Sequence, residues 1–549
     1  MSSVTGSSRK AATNPVSILD PLLWIRAQVG SDRVIIWVSI LALTFLAAVL
    51  RIYNIENQSL WRDEGISYSL SHQDSLPHVF STLANNDLHP PFYFVLLYFA
   101  IELLGKSAFT IRIISAIAGI ILIPLGYSIG KRLFNSWVGL LNALIMTISP
   151  FLIRYSQEAR QYNLLALMAA FTFYFAIRWI QKPSNRQLIP YVITGALLIY
   201  THTWGFFFLA ALNLYLVVDM WLDPARRRQL PNWIAGNVAI GVLYLPWLPS
   251  MIHQLGFRTD WITTTDSPFK LLRLTFEYWT AAARATPFYL LVFLLGIIYL
   301  LDIEVRPFKM SLGKDTGKVM LLIVTGLATL VIALVMNEFK PSFKPDRYTI
   351  VVYPIFSLLL ALGIINLRFR WVMLGALFIL MALWARKDLY YLRDPYKSVA
   401  RDVAADLNAN IKPNDVIVFT PDPLGQSVQF YLTNDNFMLG YANWTSMSDW
   451  NIDGWVDAWF KKDLQANTFA LIDEHLTGDA CVWLVFEPGP ISIPDAENVA
   501  DDFLAAFDQH YQLVRKFVGY DRGFSEPPFE DMDLAQYCGK REALTKRFG

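Results

Sequence analysis

The sequence predicts an α-helical polytopic membrane protein, about 11 transmembrane helices plus juxtamembrane helices, followed by a soluble C-terminal α/β domain. Three observations carry this reading. Of 549 residues, 54% are hydrophobic and only 17% charged, with a mean hydropathy of +0.36, outside the range of ordinary water-soluble domains. The apolar residues gather into stretches close to the roughly 20 residues that cross a hydrocarbon core. After about residue 385 the composition turns polar, with frequent Asp, Asn and Pro. The formal net charge of +1 offers no basic surface for nucleic acid, and no such partner is expected.

In chain order, residues 1–33 form a polar tail with Arg9, Lys10, Arg26 and Arg33 and no small-residue cleavage site, so the first apolar segment reads as an uncleaved anchor. Candidate spans are 34–51, 109–130, 136–153, 162–180, 188–202, 205–222, 233–253, 286–301, 319–336, 348–366 and 371–385. The apolar segment 91–104 is only 14 residues long and carries Glu102, so it reads as lying along or dipping into the interface. With that choice and a cytoplasmic N-terminus, every short inside loop is basic: Lys131-Arg132; Arg178, Lys182 and Arg186; Arg226 to Arg228; Arg306, Lys309, Lys314 and Lys318; Arg368 and Arg370. Counting 91–104 as a span would invert all of them.

The outside segments are then 51–108, 154–161, 254–285, 337–347 and everything after about Arg386. The expected divisions are a 1–33 tail, a 34–385 transmembrane domain and a 386–549 extracytoplasmic domain, the whole integral to the plasma (inner) membrane. Within the last domain, 396–410 reads as an amphipathic helix, 416–420 and 482–486 as buried strands, and 502–510 as another helix. Both cysteines, Cys481 and Cys538, fall inside it. They read either as a disulfide in an oxidising compartment or as two free thiols.

The chemistry begins with exclusions. No G-x-G-x-x-G follows a strand, 313–318 lacks the spacing and hydroxyl of a phosphate loop, and no H-E-x-x-H, G-x-S-x-G or CxxC occurs. What stands out is a set of polar clusters on outside edges. The first loop holds Trp61-Arg62-Asp63-Glu64 and, later, Asp87-Leu88-His89-Pro90-Pro91-Phe92-Tyr93. Arg112 lies near the outer end of the second span, Arg160 and Tyr162 close the next outer connection, and Lys344 to Tyr348 precede the tenth span. Carboxylates at an apolar interface need cations or metal, and arginines stand at the same level.

These clusters resemble the GT-C membrane glycosyltransferases of the protein O-mannosyltransferase and lipid A aminoarabinose transferase superfamily (glycosyltransferase family 39-like). The W-x-D-E motif, His89-Pro90-Pro91-Phe92-Tyr93-Phe94, Arg112 with Ile113-Ile114-Ser115-Ala116, the Ser156 to Tyr162 block after Ser149-Pro150, and Arg347-Tyr348 carry the likeness, which spans about 34–385. The resemblance implies an enzyme moving a sugar from a polyprenyl-phosphate donor to an extracytoplasmic hydroxyl of a lipid, glycan or protein. It implies Asp63, beside Glu64, as catalytic base or acceptor-positioning group. A general base takes the hydroxyl proton as the sugar is attacked, and the departing lipid phosphate calls for bidentate arginine. Arg112, Arg160 and Arg347 are the candidates, with Asp87, His89, Tyr162, His202 and Tyr348 as further substrate-binding residues. No cofactor is certain; Mg or Mn on Asp63 and Glu64 is one way to share the charge. The chain departs from aminoarabinose transferases at Ser67-Tyr68, where those place an arginine, and shows no repeated carbohydrate-binding domain.

Each residue also has a plainer reading. Asp63 and Glu64 suit a helix N-terminus; Glu158 stands four residues after Arg154, the spacing of an ordinary helical ion pair. His89 suits a turn cap before two prolines, and His202 and Tyr348 suit interfacial packing. Two other functions stay open: a transporter or flippase of lipid-linked glycans, which calls for mid-membrane charges and matched broken helices, and a membrane-anchored binding protein.

Overall fold

The computed structural model describes residues 32–257, 266–281, 286–301, 304–306, 309–311, 315–367, 369–393, 397–440, 464–487, 499–517 and 532–540. Nearly all of the 1–33 tail, with Arg9, Lys10 and Arg26, lies outside them, as do Lys314 and Arg368. Each stretch read as a span falls on a helix. Among the described residues seven are long and apolar enough to cross a membrane: Arg33–Ile52, Ala108–Leu133, Tyr162–Gln181, Trp204–Leu222, Leu230–Leu255, Thr316–Phe339 and Tyr348–Ile365. Their outer faces carry bare apolar side chains, such as Trp37 at 65% and Phe45 at 72% exposure, which suit lipid rather than water. This is an integral membrane protein.

The 136–153 segment, read as one span, is a pair of helices, Ser136–Thr147 and Pro150–Ser156, bent by 57°, a broken span or a re-entrant loop. Pro150 cannot donate into the preceding turn, and the Ser149 hydroxyl accepts the Leu152 N–H at 3.3 Å to start a new helix. The expected spans 188–202, 286–301 and 371–385 fall on Asn185–Thr201 (17 residues), Thr286–Leu301 (16 residues) and Arg370–Arg393. The first two are too short for the length criterion that the seven satisfy. The 91–104 segment forms the helix Phe92–Leu104, 13 residues. Tyr93, Phe94, Leu97 and Ile101 are buried on one face at helical spacing, while Leu103 stays 80% exposed.

The C-terminal domain holds a five-stranded mixed sheet in the order Phe437–Gly440, Val416–Thr420, Cys481–Phe486, Asp533–Lys540, Tyr511–Phe517. The first three run parallel and the last two antiparallel. Val416–Thr420 and Cys481–Phe486 are apolar at nearly every position because both faces are covered. Val416, Val418, Val482 and Leu484 pack with Phe469, Phe503 and Phe507 on one side; Ile417, Phe419, Trp483 and Val485 pack with Ala400, Val403 and Leu407 on the other. The helix expected over 396–410 is Ala400–Asn410, and that over 502–510 is Val499–His510. Cys481 and Cys538, cross-strand neighbours in register, are disulfide-bonded.

This domain sits directly on the Trp61 to Glu64 segment. Arg401 donates to the Asn57 carbonyl at 3.2 Å and to the Glu56 carbonyl at 2.6 Å, while its backbone N–H donates to the Ser59 hydroxyl at 3.0 Å. The Tyr431 hydroxyl accepts the Leu60 N–H at 3.0 Å. The short helix Leu424–Gln429 packs on the helix Arg62–Ser71, and Gly65 makes that approach possible: a Cβ there would stand 2.5 Å from the Gln426 carbonyl carbon and the Ser427 nitrogen. Gly65→Val is therefore expected to loosen the domain. Limited proteolysis should release the soluble fragment faster than from wild type, with no faster cleavage among the membrane helices.

Candidate active site

The Arg62–Ser71 helix begins with Trp61 in extended backbone, and its first turn carries both acids. Glu64 reaches back toward the Trp61 N–H at 3.4 Å, so the plainer helix-capping reading is correct as far as it goes. Consecutive residues of an α-helix point about 100° apart. The Asp63-Glu64 pair therefore faces two different environments.

Glu64 points inward and is fully buried. Arg112 grips it with two bonds, Nε to Oε1 and Nη2 to Oε2, both 2.7 Å, and the Ala159 N–H donates to Oε1 at 2.8 Å. The rest of the Arg112 fork donates to the carbonyls of Ile55 at 2.7 Å and Gln58 at 2.9 Å. Burial pushes the Glu64 carboxyl up, but Arg112, Lys397 and these hydrogen bonds outweigh it and hold the group below its ordinary value. One ion pair thus ties the first outer loop, the second long helix and the 157–161 turn together. Both oxygens of Glu64 accept hydrogen bonds and the Arg112 fork donates to protein oxygens, so the pair forms a frame behind Asp63.

Asp63 points the other way, and its side chain is 22% exposed. Arg347 Nη1 meets its Oδ2 at 3.0 Å and Arg160 Nη2 stands 3.9 Å from the same oxygen. Arg160 also donates to the Ser67 hydroxyl at 3.1 Å and to the Asp63 carbonyl at 3.3 Å. Its guanidinium lies over the Tyr162 ring, and that of Arg347 over Trp61 at 5.4 Å. Arg160 and Arg347, 97 and 284 positions from Asp63 in sequence, share its carboxylate.

A second group adjoins the first. Asp87, capping the helix Leu76–Asn86, accepts the His89 backbone N–H at 2.8 Å and contacts the His89 ring Nδ1 at 2.5 Å through the same oxygen. Burial raises the Asp87 carboxyl, yet the adjacent His89 and the field of Arg160 bring it below its usual value. The His89 ring lies 5.4 Å from that of His202, which lies 4.7 Å from Tyr348, which lies 6.1 Å from Tyr162. His202 is placed by the sharp junction between the helices Asn185–Thr201 and Trp204–Leu222. The residues singled out in the sequence come together around Asp63, Arg160 and Arg347, with Arg112 and Glu64 one layer behind.

Other contributors were not among the candidate site residues. Arg154 pairs with Glu158 at 3.3 Å as the spacing suggests, but Glu158 also binds Lys397 at 3.2 Å, which fastens the start of the soluble domain to the turn that presents Arg160. Lys397 lies some 240 positions from that turn, beyond reach of local pattern. Lys344, one turn before Arg347, sits in the field of Asp63, and burial with the adjoining Arg347 holds its ammonium below the ordinary value. Among the described residues no group of three or more His, Cys, Asp or Glu converges as a metal site. Glu64 accepts from Arg112 with both oxygens, and Asp63 faces Arg347.

The bundle has the GT-C type of fold, and in this chain a partly exposed acid faces two arginines beneath the C-terminal domain. The known structures agree. The crystal structure of ArnT from Cupriavidus metallidurans in the apo state superposes with a TM-score of 0.59 at 14% identity, covering 91% of this chain and 97% of that one. The same protein bound to undecaprenyl phosphate gives 0.55 at 14% identity, covering 91% and 98%. Residues 88–249 match the family described as dolichyl-phosphate-mannose-protein mannosyltransferase. No curated protein matches the sequence. The chain thus shares the GT-C fold, and its residues 88–249 are similar to the mannosyltransferase family.

Glu64→Gln leaves Arg112 buried without its counter-charge, an effect of about 3–5 kcal/mol for a broken interior pair. The folded carboxyl titrates below the unfolded one, so the pair's contribution is complete above the unfolded value near pH 4 and is lost as pH falls through the depressed folded value. Thermal unfolding in detergent is expected to show a wide gap between wild type and variant at pH 7 that narrows in acid.

Proposed function

We propose that the protein transfers a sugar from a polyprenyl-phosphate donor to a hydroxyl of an extracytoplasmic acceptor, at the Asp63 site. The single observation that supports this best is the sharing of one partly exposed carboxylate between Arg347 at 3.0 Å and Arg160 at 3.9 Å. A carboxylate and two guanidiniums are the parts the reaction requires: one group to take a proton, two to take a phosphate.

The steps follow from competition for the arginines. The donor phosphate draws Arg160 and Arg347 toward its own oxygens, which frees Asp63. The acceptor hydroxyl then attacks the anomeric carbon; its proton passes to Asp63, the new carbon–oxygen bond forms, and the bond from the anomeric carbon to the phosphate oxygen breaks. The bonding pair leaves with the lipid phosphate, a monoester whose second pKa is near 6, so guanidinium charge serves it better than a general acid. Glu64 and Arg112 hold the helix that aims Asp63, and the soluble domain shields the reacting atoms from bulk water. With the basic loops inside, this chemistry takes place on the outer face of the plasma membrane. Sugar-donor and acceptor classes enter from the relatives: undecaprenyl phosphate is the lipid in one ArnT structure, and the family description names dolichyl-phosphate-mannose.

The test is a purified-protein assay for release of free polyprenyl phosphate from a panel of sugar-charged lipids. Asp63→Asn keeps a partner for Arg347 and is expected to fold as wild type while losing about 10²–10⁴-fold in rate, the range of a general base. An Asp63→Asn protein as active as wild type contradicts the assignment. Arg347→Lys keeps the charge but not the fork and should lose activity even at saturating donor. Because arginines supply the charge in this scheme, chelation with EDTA is expected to leave the rate unchanged.

A further inference from the structure

His202 carries a polar atom to which the fold gives no answer. Its ring is buried, at 3% exposure, and Nδ1 accepts the Trp204 backbone N–H at 3.1 Å. Acceptance at Nδ1 fixes the tautomer, so the ring proton sits on Nε2 as a neutral donor. That Nε2 is buried with no hydrogen-bond partner among the described residues. A buried donor left unpaired costs about 1–3 kcal/mol, and such a group is accounted for when a ligand brings the acceptor. Arg160 Nε and both amide atoms of the fully buried Gln161 are unpartnered as well.

The surroundings say which part of a ligand would meet His202. Tyr348 lies 4.7 Å from its ring, and Trp204 lies 6.0 Å from Tyr348, so one neutral donor stands among aromatic faces. The nearby charged groups have partners of their own: Arg347 and Arg160 gather on Asp63, and His89 is engaged by Asp87. Phosphate binding uses charge and forks, whereas a neutral ring with hydroxyls suits apolar faces carrying a few fixed polar groups. We infer that His202, with Tyr348 and Trp204, forms a subsite for the uncharged, hydroxyl-bearing sugar ring of the donor, its Nε2–H donating to a sugar oxygen, apart from the guanidinium end that takes the phosphate. The inference rests on the reading of the donor as a polyprenyl-phosphate sugar. The two ends share Arg160, which feels both Asp63 and Asp87.

The experiment compares binding of bare undecaprenyl phosphate with binding of undecaprenyl-phosphate hexoses and pentoses to the full-length protein in nanodiscs. Wild type is expected to hold at least one sugar-bearing lipid more tightly than the bare lipid. His202→Phe should lose roughly tenfold of affinity for that lipid and leave the bare lipid unchanged. His202→Gln, whose amide nitrogen reaches close to the Nε2 position, should recover most of the loss. If the phenylalanine variant does not fold, Tyr348→Leu carries the same expectation of sugar-selective loss. Equal weakening of bare and sugar-bearing lipid, no change in either, or no sugar preference in wild type overturns the subsite. Failure of wild type to bind even bare undecaprenyl phosphate would instead remove the donor reading beneath it.

Discussion

The buried pair between Glu64 and Arg112 is the contact on which the rest of the site depends. Neither group touches water, and the bidentate geometry with added bonds from Ala159 and to Ile55 and Gln58 meets the conditions under which an interior ion pair holds its place. Its value is geometric. It fixes the rotation of the Arg62–Ser71 helix, and the turn of about 100° between neighbouring helical residues then decides where Asp63 must point. An acid that looks like half of a catalytic dyad in the sequence is what aims the other half.

From that frame the site divides into an ionic end and an aromatic end. Asp63 is shared by Arg160 and Arg347, and Asp346, 3.2 Å from Arg347, supplies the second negative charge, which leaves no stranded group at the membrane interface. His89, His202, Tyr162, Tyr348 and Trp204 make the other end, where rings lie about 5–6 Å apart, the range of ordinary aromatic contacts. The soluble domain closes over both through Arg401, Tyr431 and the Leu424–Gln429 helix, and Lys397 locks its root to the Arg160 turn. Its docking and the catalytic geometry are parts of one network.

Much of this was legible in the sequence. Hydropathy and basic loops located the helices, because a bilayer imposes length and polarity on every crossing segment. Unbroken apolar runs gave away Val416–Thr420 and Cys481–Phe486, since a strand covered on both faces has no polar side. Most of the motif residues of the outer edges converge on one cluster, because each places a polar group at the interface. What stayed hidden was direction and distant partnership. Nothing local distinguishes Asp63 from Glu64; the difference lies in Arg112 and Ala159, 48 and 95 positions away from Glu64. The break at Ser149-Pro150 hid inside a run of span-like hydropathy, and the pressure of Gln426 on Gly65 belongs to a contact between domains. The state of the cysteines likewise needed the register that sets Cys481 opposite Cys538.

The central claim is spatial: one lipid phosphate meets the guanidiniums of residues 160 and 347 beside Asp63. An experimental structure of the Asp63→Asn protein with undecaprenyl phosphate tests it most directly. The account predicts phosphate oxygens within hydrogen-bond reach, about 2.7–3.2 Å, of both guanidiniums, with residue 63 no longer bonded to them. Phosphate density at any other place on the protein, with both arginines still turned toward residue 63, would contradict it.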